Sequence, residues 1–268
     1  MNPSRQEPPA TDDSDDFWSA LRTGMLLGAA ALVIVLPALH YWNRPVPTTF
    51  PNAPAQVEAP ATPGAPAAGQ GERKLASFGR SRPTEAVRQV ANWSVYSGDH
   101  QNMAIVIIDK KDARVWVFKP DGTLLSSTPA LLGAAIGDES VPGIGDKPLS
   151  QVRPEEKTTP AGRFIAEPGQ NLNGEDIVWV SYDLAVSMHR VRPTVKSERR
   201  LERLASPTSA DNRISFGCIN LPPKFYEGVL SPTVQKYGAV VYVLPETRTP
   251  AELFGAYDVP PPTHVAQR

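Results

Sequence analysis

Three β-prone runs near the middle of the chain constrain its fold most strongly. Residues 104–108 and 114–118 are rich in β-branched and aromatic side chains, and a short polar turn separates them. Residues 120–122 read Pro-Asp-Gly, a sequence with strong turn chemistry, and a third run follows at 123–132. The pattern predicts an antiparallel β-meander of three strands.

The rest of the folded region is also predicted to be mainly β. A loop rich in glycine and proline occupies residues 133–159, and loops of this length are usually functional or disordered. The further predicted strands are residues 162–166, 177–182, 184–188 and 239–244. One helix is predicted after Pro83, with an apolar stripe formed by Ala86, Val87, Val90 and Trp93. Two more helices are predicted at residues 195–204 and 223–230. We therefore expect one β-rich α+β domain at 73–248, with its core at about 100–245, and not a βαβ repeat.

Residues 24–42 form an apolar run without a charged side chain. Its length fits the roughly 20 residues that a helix needs to cross a bilayer. Arg5 and Arg22 precede the run and Arg44 follows it, a bias that favours a cytoplasmic segment at 1–23. The sequence predicts an uncleaved transmembrane anchor. A buried soluble helix and a cleaved signal peptide are the alternatives.

The segments that flank the domain are rich in proline. Residues 43–72 consist largely of Pro, Ala and Gly and lack the apolar side chains that a core requires. This composition predicts an extended tether between the anchor and the domain. Residues 249–268 are predicted to be a polar, proline-rich tail. The formal net charge of -1 gives no sign of nucleic-acid binding.

The chain has a single cysteine, Cys218, so an intramolecular disulfide is impossible. A cysteine attacks as its thiolate and needs a nearby base to ionise near neutrality. Of the four histidines, His40 lies in the apolar run, His100 precedes the first core strand and His264 lies in the tail. His189 is therefore the natural partner of Cys218. From the residues alone, an inert buried thiol and a satisfied core histidine remain open readings.

Three elements in order resemble one enzyme family. Cys218 lies in the sequence Ile-Ser-Phe-Gly-Cys-Ile-Asn, residues 159–164 read Thr-Pro-Ala-Gly-Arg-Phe, and His189 lies between the two motifs. Together they resemble the L,D-transpeptidase (YkuD-type) catalytic domain over roughly residues 100–245. The resemblance implies a compact β-sandwich or barrel with a few short helices, preceded here by the transmembrane helix.

The resemblance also implies a role for each catalytic residue. Cys218 would be the nucleophile and His189 its general base. The backbone carbonyl of Arg190 would orient the imidazole. The backbone N–H groups of Gly217 and Cys218 would form the oxyanion hole. No metal or cofactor is implied, and the sequence holds no cluster of metal ligands.

The substrate implied by the resemblance is a peptidoglycan stem tetrapeptide. Ser215 and Asn220 would support the site and the substrate backbone, and Phe216 would line the pocket. Arg213, like Arg190 and Arg192, could bind a stem-peptide carboxylate, although ordinary surface charge is an equal reading for each of these arginines. The thiolate would attack the bond between the diamino acid and D-Ala, and an amine or water would resolve the acyl-enzyme.

Two departures from the family pattern concern this site. Phe216 occupies the position where the family usually has histidine, which changes the polarity beside the thiol. The spacing between His189 and Ser215 is longer than is common in the family, and the excess holds the charged segment at 195–204. Its mixed charges favour a solvated helix over a substrate-binding role, and a lid over the cleft is a third reading.

The function expected from the sequence is L,D-transpeptidation through a Cys218 thioester. An L,D-carboxypeptidase of the same fold and a non-catalytic peptidoglycan-binding domain are the alternatives, and the presence of Cys218 and His189 argues against the last. The anchor predicts a single-pass protein of the bacterial inner membrane with its catalytic domain in the periplasm. Other cell-wall enzymes are possible partners.

Overall fold

The computed structural model describes residues 74–260, which belong to one compact unit. Among these residues, no helix combines the length and the apolar character needed to span a bilayer. The predicted cytoplasmic segment at 1–23, anchor at 24–42 and tether at 43–72 lie outside the described residues, as does the end of the predicted tail. They stay predictions.

The described chain contains ten strands and five α-helices. The strands are β1 (Ala104–Asp109), β2 (Arg114–Phe118), β3 (Leu124–Pro129), β4 (Leu132–Gly133), β5 (Gly162–Gln170), β6 (Asp176–Ser181), β7 (Val186–Arg190), β8 (Arg213–Ser215), β9 (Ile219–Leu221) and β10 (Ala239–Val243). The helices are α1 (Glu85–Ser97), α2 (Arg200–Ala205), α3 (Pro223–Phe225), α4 (Ser231–Tyr237) and α5 (Pro250–Phe254). Short 3₁₀ turns cover Ile144–Asp146, Leu149–Gln151, Pro154–Glu156, Lys196–Glu198 and Ser209–Asn212.

Eight strands form one mixed sheet in the order β3-β2-β1-β10-β5-β6-β7-β9, and β4 pairs with β8 in a small second sheet. The predicted meander is confirmed, since β1, β2 and β3 pair antiparallel in sequence order. The pairs β1–β10 and β7–β9 are parallel. The prediction of a mainly β domain with a few short helices is confirmed.

The two ends of the large sheet are joined. Beyond β3 the chain passes Leu131, whose backbone N–H and carbonyl both bond with Asn220 of β9 at 2.9 Å. This bridge draws the first and last strands together, so the sheet has a barrel-like form. The closure places β9, and with it the segment around Cys218, next to the chain that follows β3 at the other end of the sheet.

Buried apolar side chains cover both faces of strand β1. Val106 and Ile108 belong to the larger cluster inside the curved sheet, whereas Ile105 and Ile107 face the cluster beneath α1. Alternate side chains point to opposite faces of a strand. Because both faces are covered, β1 reads as a continuous apolar run instead of an alternating one.

Helix α1 confirms the helix predicted after Pro83. The Thr84 hydroxyl caps its first turn by accepting from the Val87 N–H at 3.4 Å, and the helix ends at Gly98. Of the predicted apolar stripe, Val87, Val90 and Trp93 are buried, and Ala86 packs partly buried at the edge. The helix thereby covers the outer face of β1 and β10.

Three predicted elements were wrong in extent. The strand predicted at 123–132 divides into β3 and β4, because Leu131 leaves β2 to pair with β9. The helix predicted at 195–204 is broken at Arg199, which has a φ of 51°. The helix predicted at 223–230 continues through a π-helical turn, Tyr226–Leu230, into α4. The first of these differences depends on pairing with a strand far along the chain.

Packing of the domain continues past residue 248 into the predicted tail. Thr249 and Glu252 form a capping box at the start of α5. Phe254 of this helix meets Tyr242 edge to face, with ring centroids 5.6 Å apart, and Ala256 is buried. The sequence predicted a polar tail here, and neither the helix nor the contact of Phe254 with the core was predicted.

A buried ammonium group joins distant parts of the fold. The side chain of Lys110, at the end of β1, is 0% exposed and donates to Asp138 and to the Thr159 carbonyl, both at 3.0 Å. Glu246 lies 3.5 Å from the same ammonium. Burial lowers the pKa of Lys110, and the carboxylates of Asp138 and Glu246 act in the opposite direction. Lys110 therefore fixes the loop before β5 to the end of β1.

Substitution of Lys110 tests this role. We expect Lys110→Met to lower the free energy of unfolding by about 3 kcal/mol, because it leaves the buried carboxylate of Asp138 without its cation. The neighbouring exposed Lys111 is the matched control, and Lys111→Met should change stability by less than about 0.5 kcal/mol. Urea denaturation followed by tryptophan fluorescence measures both. Equal stabilities of the two variants would contradict the structural role of the buried ammonium.

Candidate active site

Parallel pairing of β7 with β9 brings together residues that are distant in the sequence. His189 lies opposite Asn220 in this pairing, and Cys218 immediately precedes β9. Ser187 lies two residues before His189 in β7 and therefore shares its face of the sheet. The Ser187 hydroxyl donates to Cys218 Sγ at 3.7 Å. The structure thus assembles a thiol, an imidazole, a hydroxyl and an amide at one place.

The turn that presents the thiol requires glycine. Gly217 has a φ of +136°, and a Cβ built there would lie 2.8 Å from the carbonyl oxygen of Thr158. The Gly217 N–H donates to Ser215 Oγ at 3.1 Å, and Ser215 Oγ donates to the Cys218 carbonyl at 2.6 Å. Ser215 therefore shapes the turn. Because the Gly217 amide is bonded to Ser215, the Cys218 amide is the better candidate oxyanion donor.

The imidazole of His189 is oriented by the backbone. Its Nδ1 lies 2.8 Å from the carbonyl oxygen of Arg190. A carbonyl only accepts hydrogen bonds, so the neutral ring carries its proton on Nδ1 and a lone pair on Nε2. This is the contact expected for the Arg190 carbonyl, and it leaves Nε2 as the basic atom.

The partly exposed Cys218 thiol is electrostatically tuned. Burial raises its pKa, but the hydrogen bond and charge of His189 and the hydrogen bonds of Ser187 outweigh that effect, and the pKa lies below its ordinary value. As a thiol, Cys218 Sγ donates to the Ala185 carbonyl at 3.5 Å. As a thiolate it accepts from the Ser187 hydroxyl, so both protonation states have a partner.

Asn220 connects the imidazole with the nucleophile. Its amide nitrogen Nδ2 donates to the Cys218 carbonyl at 3.2 Å and lies 3.4 Å from His189 Nε2. Its oxygen Oδ1 accepts from a guanidinium nitrogen of Arg200 at 2.6 Å. Asn220 was predicted to support the site, and the structure gives it these three contacts.

Arg200 was missed by the sequence analysis. The favoured interpretation of segment 195–204 was a solvated helix, yet the Arg200 side chain is only 14% exposed and reaches Asn220. Leu204 anchors the segment by packing with Leu131 and Val191. The one sequence signal for this contact was the long spacing between the histidine and cysteine motifs.

Phe216 lies at the mouth of the site and is 38% exposed. The ammonium of Lys157, from the long loop before β5, lies 4.1 Å from the centroid of its ring, a cation–π geometry. The Lys157 ammonium thus places a positive charge beside the Phe216 ring. Lys157 was not singled out in the sequence.

The arginines proposed as carboxylate ligands are engaged elsewhere. The Arg213 guanidinium pairs with Glu246 and donates to the Lys110 carbonyl at 2.8 Å, so the structure does not bring it to the thiol. The Arg190 side chain forms ion pairs with Asp176 at 2.9 Å and Glu227 at 2.8 Å. Arg192 pairs with Glu175. A structural role accounts for each of these side chains.

A cavity of about 310 Å³ opens beside His189. Both acidic and basic side chains line it, including Glu175, Asp176, Arg190 and Arg192. These charges are paired across the lining, Arg190 with Asp176 and Arg192 with Glu175. Within residues 74–260, no group of three or more His, Cys, Asp and Glu side chains could hold a metal ion. The reactive groups assembled here are the thiol and the imidazole.

Comparison with known proteins gives structural likenesses only. No protein-family model and no curated protein matches the sequence. The similar solved structures are almost all L,D-transpeptidases. They include a helical cell shape determining protein from Campylobacter jejuni (18% identity, 55% of this chain and 49% of that chain, TM-score 0.35). Others are L,D-transpeptidases from Enterococcus faecium (19% identity, 53% and 50%, TM-score 0.30) and Mycobacterium smegmatis (21% identity, 52% and 58%, TM-score 0.30). This chain spans about half the length of the first two.

The requirement for glycine at position 217 can be tested directly. Gly217→Ala forces a side chain into the left-handed region and against the Thr158 carbonyl, a strain of about 1–3 kcal/mol. We expect lower stability and slower alkylation of Cys218 by iodoacetamide. Gly228→Ala is the control, since a Cβ at Gly228 meets nothing within 4 Å. Wild-type alkylation by the Gly217 variant would show that the turn does not depend on glycine.

The thiol should ionise at a lower pH than free cysteine. The thiolate exists above the thiol pKa, so a lowered pKa extends reactivity downward from the ordinary value of about 8.5. In His189→Ala the contact that lowers the pKa of Cys218 is lost, whereas the burial that raises it remains. The alkylation midpoint should therefore rise above that of the wild type. The rate of iodoacetamide alkylation from pH 5 to 10 measures both midpoints. Coincident curves would exclude His189 as the group that tunes Cys218.

Proposed function

We propose that this chain is a cysteine acyltransferase of the L,D-transpeptidase type that acts on peptidoglycan stem tetrapeptides. The observation that carries the proposal is the geometry at Cys218. A thiol of lowered pKa is coupled to His189, whose Nδ1 proton is held by the Arg190 carbonyl. This is the arrangement of an activated nucleophile: the base lies beside it, and a third group orients that base.

The residues support a two-step acyl transfer. The Cys218 proton passes to His189 Nε2, and Sγ attacks the carbonyl carbon of the bond between the diamino acid and D-Ala. The resulting oxyanion accepts from the Cys218 amide, and the imidazolium returns its proton to the departing amine of D-Ala. The thioester is then resolved by an amine acceptor, whose proton His189 removes.

The same geometry serves a hydrolase if water resolves the thioester. An L,D-carboxypeptidase is therefore the second candidate, and the partly exposed Cys218 is the observation that admits water to the site. A non-catalytic peptidoglycan-binding domain would have no use for the tuned thiol, so it is the least favoured function. Fold alone does not distinguish these activities.

The cellular setting forms part of the proposal. The apolar run at 24–42 supports a single-pass anchor in a bacterial inner membrane, and the tether at 43–72 is long enough to hold the domain away from the bilayer. The catalytic domain would then act in the periplasm, where peptidoglycan lies and other cell-wall enzymes are possible partners. Fractionation of cells, with protease treatment of spheroplasts, tests this placement.

A covalent probe tests the nucleophile. We expect a carbapenem to acylate the domain once, with a mass increase that is absent in Cys218→Ala, because only the ionised thiol attacks the β-lactam carbonyl. Intact-protein mass spectrometry measures the adduct, and circular dichroism confirms that both proteins are folded. A folded wild type that gains no mass, or an adduct that persists in the alanine variant, would refute the proposed nucleophile.

Purified sacculi then separate the two candidate activities. A transpeptidase adds crosslinks between diamino acids and releases D-Ala, whereas a carboxypeptidase releases D-Ala and leaves tripeptides. Fragments of sacculi treated with wild type and with Cys218→Ala can be compared by chromatography and mass spectrometry. Release of D-Ala without new crosslinks would support the hydrolase.

A further inference from the structure

Arg200 occupies an unusual position for a residue from a charged surface segment. Its guanidinium is bound by Glu198 on one side and by Asn220 Oδ1, at 2.6 Å, on the other. The segment is held in place by Leu204, which packs against Leu131 and Val191. The arginine therefore reaches the amide between His189 and Cys218 from a docked segment.

The guanidinium determines which way the Asn220 amide faces. Arginine has only donors, so the atom that faces it is the amide oxygen. The amide nitrogen is then directed at His189 Nε2, 3.4 Å away, and at the Cys218 carbonyl, 3.2 Å away. A flipped amide would place its nitrogen against the guanidinium, donor against donor. Arg200 thus excludes one of the two orientations of the side chain.

The orientation of the amide affects how His189 interacts with the thiolate of Cys218. An N–H group that faces Nε2 is compatible with a lone pair there and is repelled by an imidazolium N–H. The guanidinium charge itself is offset by the ion pair with Glu198. The other charged or titratable groups near His189 are Cys218, Lys157 above Phe216, and the cavity-lining residues Glu175, Asp176, Arg190 and Arg192. Arg190 and Arg192 are paired with acids away from the Asn220 amide, and Arg200 is the guanidinium that contacts it.

We propose that Arg200 is a positioning residue that fixes the Asn220 amide and thereby limits how strongly His189 stabilises the Cys218 thiolate. This inference rests on the Cys218–His189 pair of the proposed function but not on the identity of the substrate. It also gives the charged segment at 195–204 a role in the site.

The pH profile of thiol alkylation tests the proposal. In Arg200→Met the amide is free to turn Oδ1 toward an Nε2 proton, which stabilises the imidazolium and with it the thiolate. We expect the iodoacetamide midpoint to move to lower pH and the rate at pH 6 to rise about three- to tenfold, which corresponds to a midpoint shift of about 0.5–1 unit. An unchanged midpoint, or one at higher pH, would overturn the proposal.

Three variants separate orientation from stability. Arg200→Lys keeps a cation that only donates and should retain the wild-type midpoint. Arg199→Ala removes the adjacent arginine, which makes none of the hydrogen bonds described for this site, and should also match the wild type. In an Asn220→Ala background, Arg200→Met should cause no further shift, since no amide remains to be oriented. A shift that persists without Asn220 would assign the effect to charge alone and refute the positioning role.

Folding and substrate chemistry are controlled separately. Arg200→Gln keeps a polar side chain that donates and accepts, so it no longer fixes the amide and should shift the midpoint in the same direction if the methionine variant fails to fold. Thermal melts report the stability of each variant. Alkylation requires no peptidoglycan or β-lactam, so failure of the carbapenem test leaves this inference standing, whereas an unshifted midpoint refutes it while the proposed function stands.

Discussion

The rest of the site depends on two hydrogen bonds made by the hydroxyl of Thr159. It accepts from the Gly133 N–H at 2.9 Å and donates to the Gly217 carbonyl at 2.8 Å, while the carbonyl of the same residue accepts from the buried Lys110 ammonium. One residue thus joins β4, the turn before the nucleophile and the end of β1. A hydroxyl side chain makes both bonds possible, because a single hydroxyl can accept and donate at once.

The chemistry of the site depends on which groups can only accept hydrogen bonds and which can only donate them. The Arg190 carbonyl accepts, so His189 carries its proton on Nδ1, and the Arg200 guanidinium donates, so Asn220 turns its nitrogen inward. These two constraints act on opposite sides of the same imidazole. The Cys218 thiol therefore meets a base whose tautomer and surroundings are set by backbone and by a distant arginine.

The sequence predicted what is local and missed what depends on pairing. The strands at Ala104–Asp109 and Arg114–Phe118 follow from β-prone runs bounded by turn residues, and Cys218 and His189 follow from their chemistry and motif. The division of β3 from β4 did not, because it results from the bridge between Leu131 and a strand far along the chain. Neither the Arg200–Asn220 contact nor the Arg213–Glu246 pair has a local signature. The sequence does not show whether a charged side chain faces water or a partner.

The position of β10 has a consequence for how the chain matures. Among the described residues this strand comes last, yet it lies between β1 and β5 in the sheet. The first strands can pair as a hairpin as soon as they are synthesised, but the strand that lies between β1 and β5 is missing until Ala239–Val243 is complete. Such long-range pairing slows folding. The thiol of Cys218 is therefore synthesised before the strand that completes the sheet around it.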